Sequence, residues 1–191
     1  NYKNSLTLNA GNSGTLARLI MGLLIHSKKK IKIIGDKSLS KRDFLRVIEP
    51  LKKFGAHFES NLGRLPVTIT GTQVSSPIKY FEKRGSAQCK SAIIMGALNT
   101  KGRTYIKAKK SRNHTELLLK YLNLPIKVNR TKFYDYIKID GRKKIPAFNY
   151  KIPSDISSCA FFIVLTALSN ESKLNIKNVN VNESRIGIIR I

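Results

Sequence analysis

The 191-residue chain has no tryptophan, two cysteines, two methionines, and only 11 acidic residues against 36 lysines and arginines. Each scarcity excludes something. Cys89 and Cys159 stand far apart with no C-x-x-C spacing, and His26, His57 and His114 show no metal-ligand spacing. Neither a disulfide framework nor a metal site is therefore expected, no cofactor is called for, and a reduced, cytoplasmic setting fits best. No apolar run reaches the roughly 20 residues that a membrane-spanning helix needs, so no membrane partner is expected.

The chain does have charge of one sign and enough apolar residues for a core. The hydrophobic share of 41% argues for a globular protein. The formal charge of +25 would suit nucleic acid, an anionic surface or a small phosphorylated substrate, and does not choose among them. Much of the excess is lysine on predicted helix faces and loops, such as Lys28-Lys29-Lys30 and Lys109-Lys110, where solvation is the ordinary state. The chain begins at Asn1 and ends in a stretch from Arg185 to Ile191 that reads as the start of a helix. It is read as an internal piece of a longer protein.

Three segments repeat one order of elements: strand, turn rich in small residues, apolar helix, strand, polar turn containing Arg, second helix. In the first, a helix from about Thr15 to Ile25 leads to a strand at Ile31–Ile34 and a helix from about Asp43 to Phe54. Phe44, Val47, Ile48, Leu51 and Phe54 there follow the rhythm that buries one helical face. In the second, a helix near Cys89–Leu98 precedes a strand at Thr104–Lys107 and a helix near His114–Leu122. Strands at Pro66–Thr70 and Tyr136–Ile139, each followed by glycine, close these two units. The third runs from a helix at Ser157–Leu168 to a strand at Leu174–Ile176. Arg42, Arg112 and Arg185 fall 31, 27 and 31 residues beyond Gly11, Gly85 and Ser154, which places each at the opening of a second helix. The basic stretch from Lys143 to Phe148, carrying Pro146, is the best candidate for a domain boundary.

Gly14-Thr15 and Ser86-Ala87-Gln88 would open helices, where unpaired N–H groups and the positive dipole end can hold phosphate or carboxylate. Asn12, Ser13, Ser86 and Ser157 would equally serve as ordinary caps. Arg42 and Arg112 could each grip an oxyanion through two parallel hydrogen bonds, or pair on the surface with Asp36, Glu49 or Glu116.

The segments Asn9–Thr15, Gly35–Arg42, Arg46–Leu51, Ser86–Ala92 and Ser111–Glu116 together resemble 5-enolpyruvylshikimate-3-phosphate synthases, in order and over almost the whole chain. The resemblance implies an α/β fold of repeated units, the inside-out α/β barrel, here incomplete. Residues 1–145 would be two repeat units of the N-terminal-half domain and 146–191 the truncated start of the other domain. The implied reaction transfers the enolpyruvyl group of phosphoenolpyruvate to shikimate 3-phosphate with release of phosphate, on the route to aromatic amino acids.

Carried over by position, Gly14 and Arg42 match phosphoenolpyruvate contacts, with Thr15 beside them, and Gln88 lies between both substrates. Ser86, Ala87, Ser111 and Arg112 match positions that hold shikimate 3-phosphate. Asp43, Asn113 and Ser154 depart mildly from the family pattern. The proton-transfer groups of the family fall outside this chain, so it carries no catalytic residue of its own and is expected to be inactive alone; the intact enzyme is expected to be a monomer. Two other readings stay open. A related enolpyruvyl transferase uses UDP-N-acetylglucosamine, although Ser86-Ala87-Gln88 and Ser111-Arg112 favour the shikimate substrate. A nucleic-acid-binding repeat protein is motivated by the charge, but no clustered aromatic and basic stacking motif stands in the sequence, and no nucleic-acid partner is expected.

Overall fold

The computed structural model describes residues 5–142 and 145–191. By its internal contacts the chain divides into two compact units: the larger runs to Ser111 and from Thr115 to Ile145, and the smaller comprises Arg112–His114 and Pro146–Ile191. Lys143 and Lys144, at the start of the expected basic boundary, lie outside the described residues.

The first repeat consists of β1 (Ser5–Asn9), α1 (Gly14–Leu24), β2 (Lys30–Ile34), α2 (Lys37–Ser40), α3 (Leu45–Lys52), β3 (His57–Asn61) and β4 (Arg64–Thr70). The second consists of β5 (Lys79–Glu82), α4 (Ala87–Leu98), β6 (Arg103–Lys109), α5 (His114–Tyr121), β7 (Ile126–Arg130) and β8 (Tyr134–Asp140). Each repeat forms its own four-stranded mixed sheet, in the orders β1-β2-β4-β3 and β5-β6-β8-β7. The outer pair β1/β2 or β5/β6 is parallel and the rest antiparallel. A parallel pair needs a crossover, which α1 and α4 supply; an antiparallel pair needs only a hairpin, which joins β3 to β4 and β7 to β8.

The strands alternate as half-buried sheets require. Ile31 and Ile33 of β2, Val67 and Ile69 of β4, Ile106 and Ala108 of β6, and Ile137 and Ile139 of β8 face the core, with the intervening lysines, threonines and tyrosines outside. Helices α1 and α4 lie against each other in parallel. Thr15 meets Gln88 near their N-termini, a Cβ on Gly22 would sit 2.1 Å from the Ala92 carbonyl oxygen midway, and Gly96 lies against Ile25 near the C-terminal end. Glycine at position 22 is what allows the backbones to approach so closely.

The repeated order expected from the residues is present, with differences in detail. Helix α3 begins at Leu45 and not at Asp43, because the Asp43 carboxylate accepts from the Leu45 N–H at 2.7 Å and the Phe44 N–H donates to the Gly63 carbonyl. All five residues of its apolar stripe are nevertheless buried, Phe44 and Phe54 from the flanking turns. Arg42 accordingly sits in the loop between α2 and α3, and Arg112 in the loop before α5; neither opens a helix.

In the smaller unit α6 (Ile156–Leu168) is capped by Asp155, whose carboxylate accepts from the Ser157 N–H at 3.2 Å, so Ser157 is not the cap. The strand expected at Leu174–Ile176 is absent. A strand needs a partner to satisfy its backbone, and the pairing that forms here is a single bridge between Ser154 and Val179. Arg185 donates to Asp155 and Ser157 and precedes a short 3-10 helix at Ile186–Ile189, where the start of an α-helix was expected. Helix α6 is apolar around its circumference, yet Phe161, Phe162, Leu165 and Leu168 are exposed.

Candidate anion-binding site

The parallel pairs β1/β2 and β5/β6 end their strands at one edge of each sheet, and the turns that follow carry most of the residues singled out in the sequence. Open α/β sheets bind ligands at such carboxyl ends. In the first repeat the turn after β1 meets the turn after β2, the Asp36 N–H donating to the Gly11 carbonyl at 2.9 Å. In the second, Gly85 has a φ of +70° and a Cβ there would lie 3.2 Å from the Lys110 carbonyl oxygen, so the Ser86 and Ser111 segments adjoin. Only glycine takes that backbone conformation readily.

Ser13 and Ser86 do cap α1 and α4: their hydroxyls accept from the N–H groups of Leu16 at 3.1 Å and Cys89 at 3.2 Å. Asn12 is used otherwise, donating to the Asp36 carboxylate. Asp36 itself caps α2, and the Leu39 N–H at 2.7 Å, followed by Asn12, holds its carboxyl below the usual carboxylate value. Gly14 and Ala87 are the first residues of α1 and α4, and Thr15 and Gln88 the second. The two helices present their positive ends together, because they pack in parallel.

Gln88 is the joint between the repeats. Its Nε2 donates to Thr15 Oγ1 at 2.8 Å, and its Oε1 accepts from Arg18 Nη1 at 2.9 Å and from Arg46 Nη2 at 3.4 Å. Arg18 is 4% exposed, stacks on the Phe44 ring at 4.8 Å and donates to the Asp43 carbonyl at 3.1 Å. Burial, then the neighbouring Arg46 and Arg42, lower its pKa from the usual arginine value, with Asp43 opposing. Arg42 reaches over Gly14, where a Cβ would lie 3.3 Å from its Nη1. It is exposed, borders an open hollow of about 570 Å³ with Lys37, Ser38 and Lys41, and has no carboxylate partner among the described residues. The surface pairing considered for it with Asp36 or Glu49 does not form. Three guanidiniums and two helix N-termini outweigh the nearby carboxylates Asp36, Asp43 and Glu82, of which Asp36 is spent on capping α2 and Glu82 on the Ser86 N–H, and leave a positive field suited to a small, multiply charged anion.

Of the residues named from the sequence, the larger unit brings Gly14, Thr15, Arg42 and Gln88 into one cluster, and sets Ser86 and Ala87 beside Ser111. The Ser111 hydroxyl is buried without a hydrogen-bond partner among the described residues. Arg112 belongs to the smaller unit and is exposed.

Sequence reasoning gave no role to Arg18, to Arg46, or to a buried cluster beneath α4. There, Lys90 Nζ lies 2.6 Å from Glu116 Oε1 on α5 and 3.6 Å from Asp135 Oδ2 on β8. All three are at most 3% exposed, so Glu116 is no partner for a surface arginine. The only available signal was a charged residue inside an otherwise apolar helical run.

The sequence profile that matches residues 1–191 is that of EPSP synthase (3-phosphoshikimate 1-carboxyvinyltransferase). The chain belongs to the EPSP synthase family. It is 44% identical over 185 residues to the 3-phosphoshikimate 1-carboxyvinyltransferase of Ruthia magnifica, covering 96% of this chain and 42% of that protein. It is 42% identical over 191 residues to the one of Petrotoga mobilis, covering 98% and 43%. The solved EPSP synthase of Acinetobacter baumannii superposes with a TM-score of 0.81 at 36% identity, over 97% of this chain and 41% of that one. The chain thus spans about two fifths of the length of the EPSP synthases it matches.

Proposed function

We propose that the protein to which this chain belongs transfers the enolpyruvyl group from phosphoenolpyruvate to shikimate 3-phosphate and releases phosphate. The observation that carries this reading is the convergence of Arg18, Arg42 and Arg46 with the N-termini of α1 and α4 about Gly14 and Gln88, in a member of this family. Both substrates are polyanions. In the reaction the 5-hydroxyl of shikimate 3-phosphate loses its proton and adds to C2 of phosphoenolpyruvate while C3 gains one; phosphate then leaves the tetrahedral intermediate as C3 loses a proton, which restores the double bond.

In this reading Gly14 and Arg42 hold phosphoenolpyruvate, with Thr15 beside them. Ser86, Ala87, Ser111 and Arg112 hold shikimate 3-phosphate, the free Ser111 hydroxyl being a ready donor. Gln88 stands between the two. The residues of this chain orient and neutralise the reactants, an electrostatic and proximity role, while proton transfer falls to groups outside it. The chain alone is therefore expected to have no turnover. Residues 146–191 begin the second domain, and the protein works as a cytoplasmic monomer; its free, unpaired cysteines are in keeping with a reducing compartment.

The test is phosphate release by the full-length protein. Arg42→Ala removes a charge-assisted contact of about 1.5–3 kcal/mol, roughly a 10- to 150-fold loss in kcat/KM for phosphoenolpyruvate. Unchanged phosphoenolpyruvate kinetics, or turnover with UDP-N-acetylglucosamine and none with shikimate 3-phosphate, would refute the proposal.

A further inference from the structure

The solvent face of the second sheet is built differently from that of the first. Register places Lys79, Tyr105, Lys138 and Lys127 in one row across β5, β6, β8 and β7, and Phe81, Lys107, Tyr136 and Asn129 in the next. Lys109 opposite Tyr134 adds a third row. Basic and aromatic side chains are therefore interspersed on one face, with same-face neighbours about 6.8 Å apart along a strand and about 4.8 Å apart across. In the first sheet the matching rows hold Thr7, Lys32, Thr68 and Glu59, then Ser5, Lys30 and, at the far side, Thr70 and His57, with no aromatic ring. There Lys30 is neutralised by Glu59 at 3.1 Å.

On the second sheet the one carboxylate of the described face, Asp140, is held by Arg103 at 2.6 Å, and Lys79, Lys107, Lys109, Lys127 and Lys138 have no carboxylate partner among the described residues. For Lys79, Lys107 and Lys138 the neighbouring groups are rings. Lys107 Nζ stands 4.4 Å from the centre of Tyr134, 4.8 Å from Phe81 and 5.8 Å from Tyr136, and Lys138 lies 5.6 Å from Tyr105. Phe81 and Tyr136 are 37% and 42% exposed and border a groove of about 540 Å³ over the sheet. Rings spread over three stretches of sequence are gathered by strand alternation, which is why no stacking motif was legible there.

We infer that this face binds single-stranded nucleic acid, independently of the enolpyruvyl transfer proposed above. Aromatic rings stack on bases irrespective of sequence, and lysines without carboxylate partners track the phosphates; the combination on an exposed sheet is how single strands are held. Lysines alone would bind any polyanion. The rings favour a partner that offers flat aromatic faces between its charges, which an acidic peptide or a lipid headgroup does not.

The test is fluorescence anisotropy of the full-length protein with a labelled uridine oligonucleotide of about twelve nucleotides, across a salt series. Phe81→Leu with Tyr136→Leu keeps apolar cover on the sheet and removes the stacking faces. The pair is expected to weaken binding by about fivefold or more with the salt slope unchanged, and a smaller loss overturns the inference. Lys107→Ala with Lys138→Ala should lower the salt slope by roughly 0.7 for each phosphate no longer neutralised, and Lys30→Ala with Lys32→Ala should not. Equal effects of the two lysine pairs overturn the inference, since they would make the binding a property of overall charge. So does an equal dependence on the two rings in binding to phosphatidylserine vesicles.

Discussion

Removing Lys90 is expected to be among the most damaging single changes in the larger unit. Its ammonium is fully buried, 2.6 Å from Glu116 Oε1 but off the direction of a hydrogen bond, and 3.6 Å from Asp135 Oδ2. Lys90→Met keeps the length and apolar volume of the side chain and leaves two buried carboxylates with Arg130, 3.9 Å from Asp135, as the nearest remaining cation. Breaking a buried ion pair from one side costs about 3–5 kcal/mol. In a cooperative domain of about 150–250 residues each kcal/mol moves Tm by about 2–4 °C, so the transition of the domain that holds the cluster should fall by roughly 6–20 °C. Adding Glu116→Gln should recover much of the loss, because it leaves one buried carboxylate in place of two. Thermal unfolding of the full-length protein measures both. A variant within about 1 kcal/mol of the parent, or one that Glu116→Gln does not rescue, would refute the account. The cluster ties α4, which carries Gln88, to α5, which follows Ser111, so the variant should also raise KM for shikimate 3-phosphate at temperatures where it remains folded.

Gly14→Ala places a methyl 2.8 Å from the buried Arg18 Nη1, which must shift against its bond to Gln88, and 3.3 Å from Nη1 of the exposed Arg42. Affinity for phosphoenolpyruvate, read by calorimetry, should fall by about tenfold while Tm moves little, because alanine also favours the helix by up to about 1 kcal/mol; undiminished affinity would contradict the role given to Gly14. Burial pushes the Cys89 thiol up to about 12, and its Sγ donates to the Arg46 carbonyl at 3.0 Å. Iodoacetamide at about pH 8 should modify the partly exposed Cys159 and spare Cys89, since only thiolate reacts; equal labelling counts against the buried geometry. The Asp36 carboxyl, held low first by the Leu39 N–H, contributes to capping α2 above its unfolded pKa of about 3.9 and loses that contribution as pH falls through its lower folded value. Carboxyl carbon chemical shifts followed against pH should give a value below about 3.9, and one at or above it would show the cap to be absent.

What the sequence made legible was whatever depends on neighbours along the chain. The period of Phe44, Val47, Ile48, Leu51 and Phe54 reports one buried face, and all five are buried even though the helix is shorter than the period suggested. Gly14 and Ser86 mark helix starts because caps and small residues act within one turn. Where the outcome depends on a distant partner, the reading failed. Leu174–Ile176 has the composition of a strand and, among the described residues, no strand to pair with, Arg42 was offered Asp36, which turned out to be capping a helix, and Lys90 looks like a surface lysine until Glu116 and Asp135 arrive from α5 and β8. The same division explains the two faces of the protein's charge. Arg18 is legible as a helical residue but acquires its role only when α4 brings Gln88 to it, and Lys107 counts as one more solvated lysine until β5 and β8 set Phe81, Tyr134 and Tyr136 around it. A net charge of +25 is in this sense several different quantities: a concentrated site at the helix N-termini, an array over rings on one sheet, a neutralised pair on the other, and a buried cation whose work is structural. Composition adds them together, and the fold is what separates them.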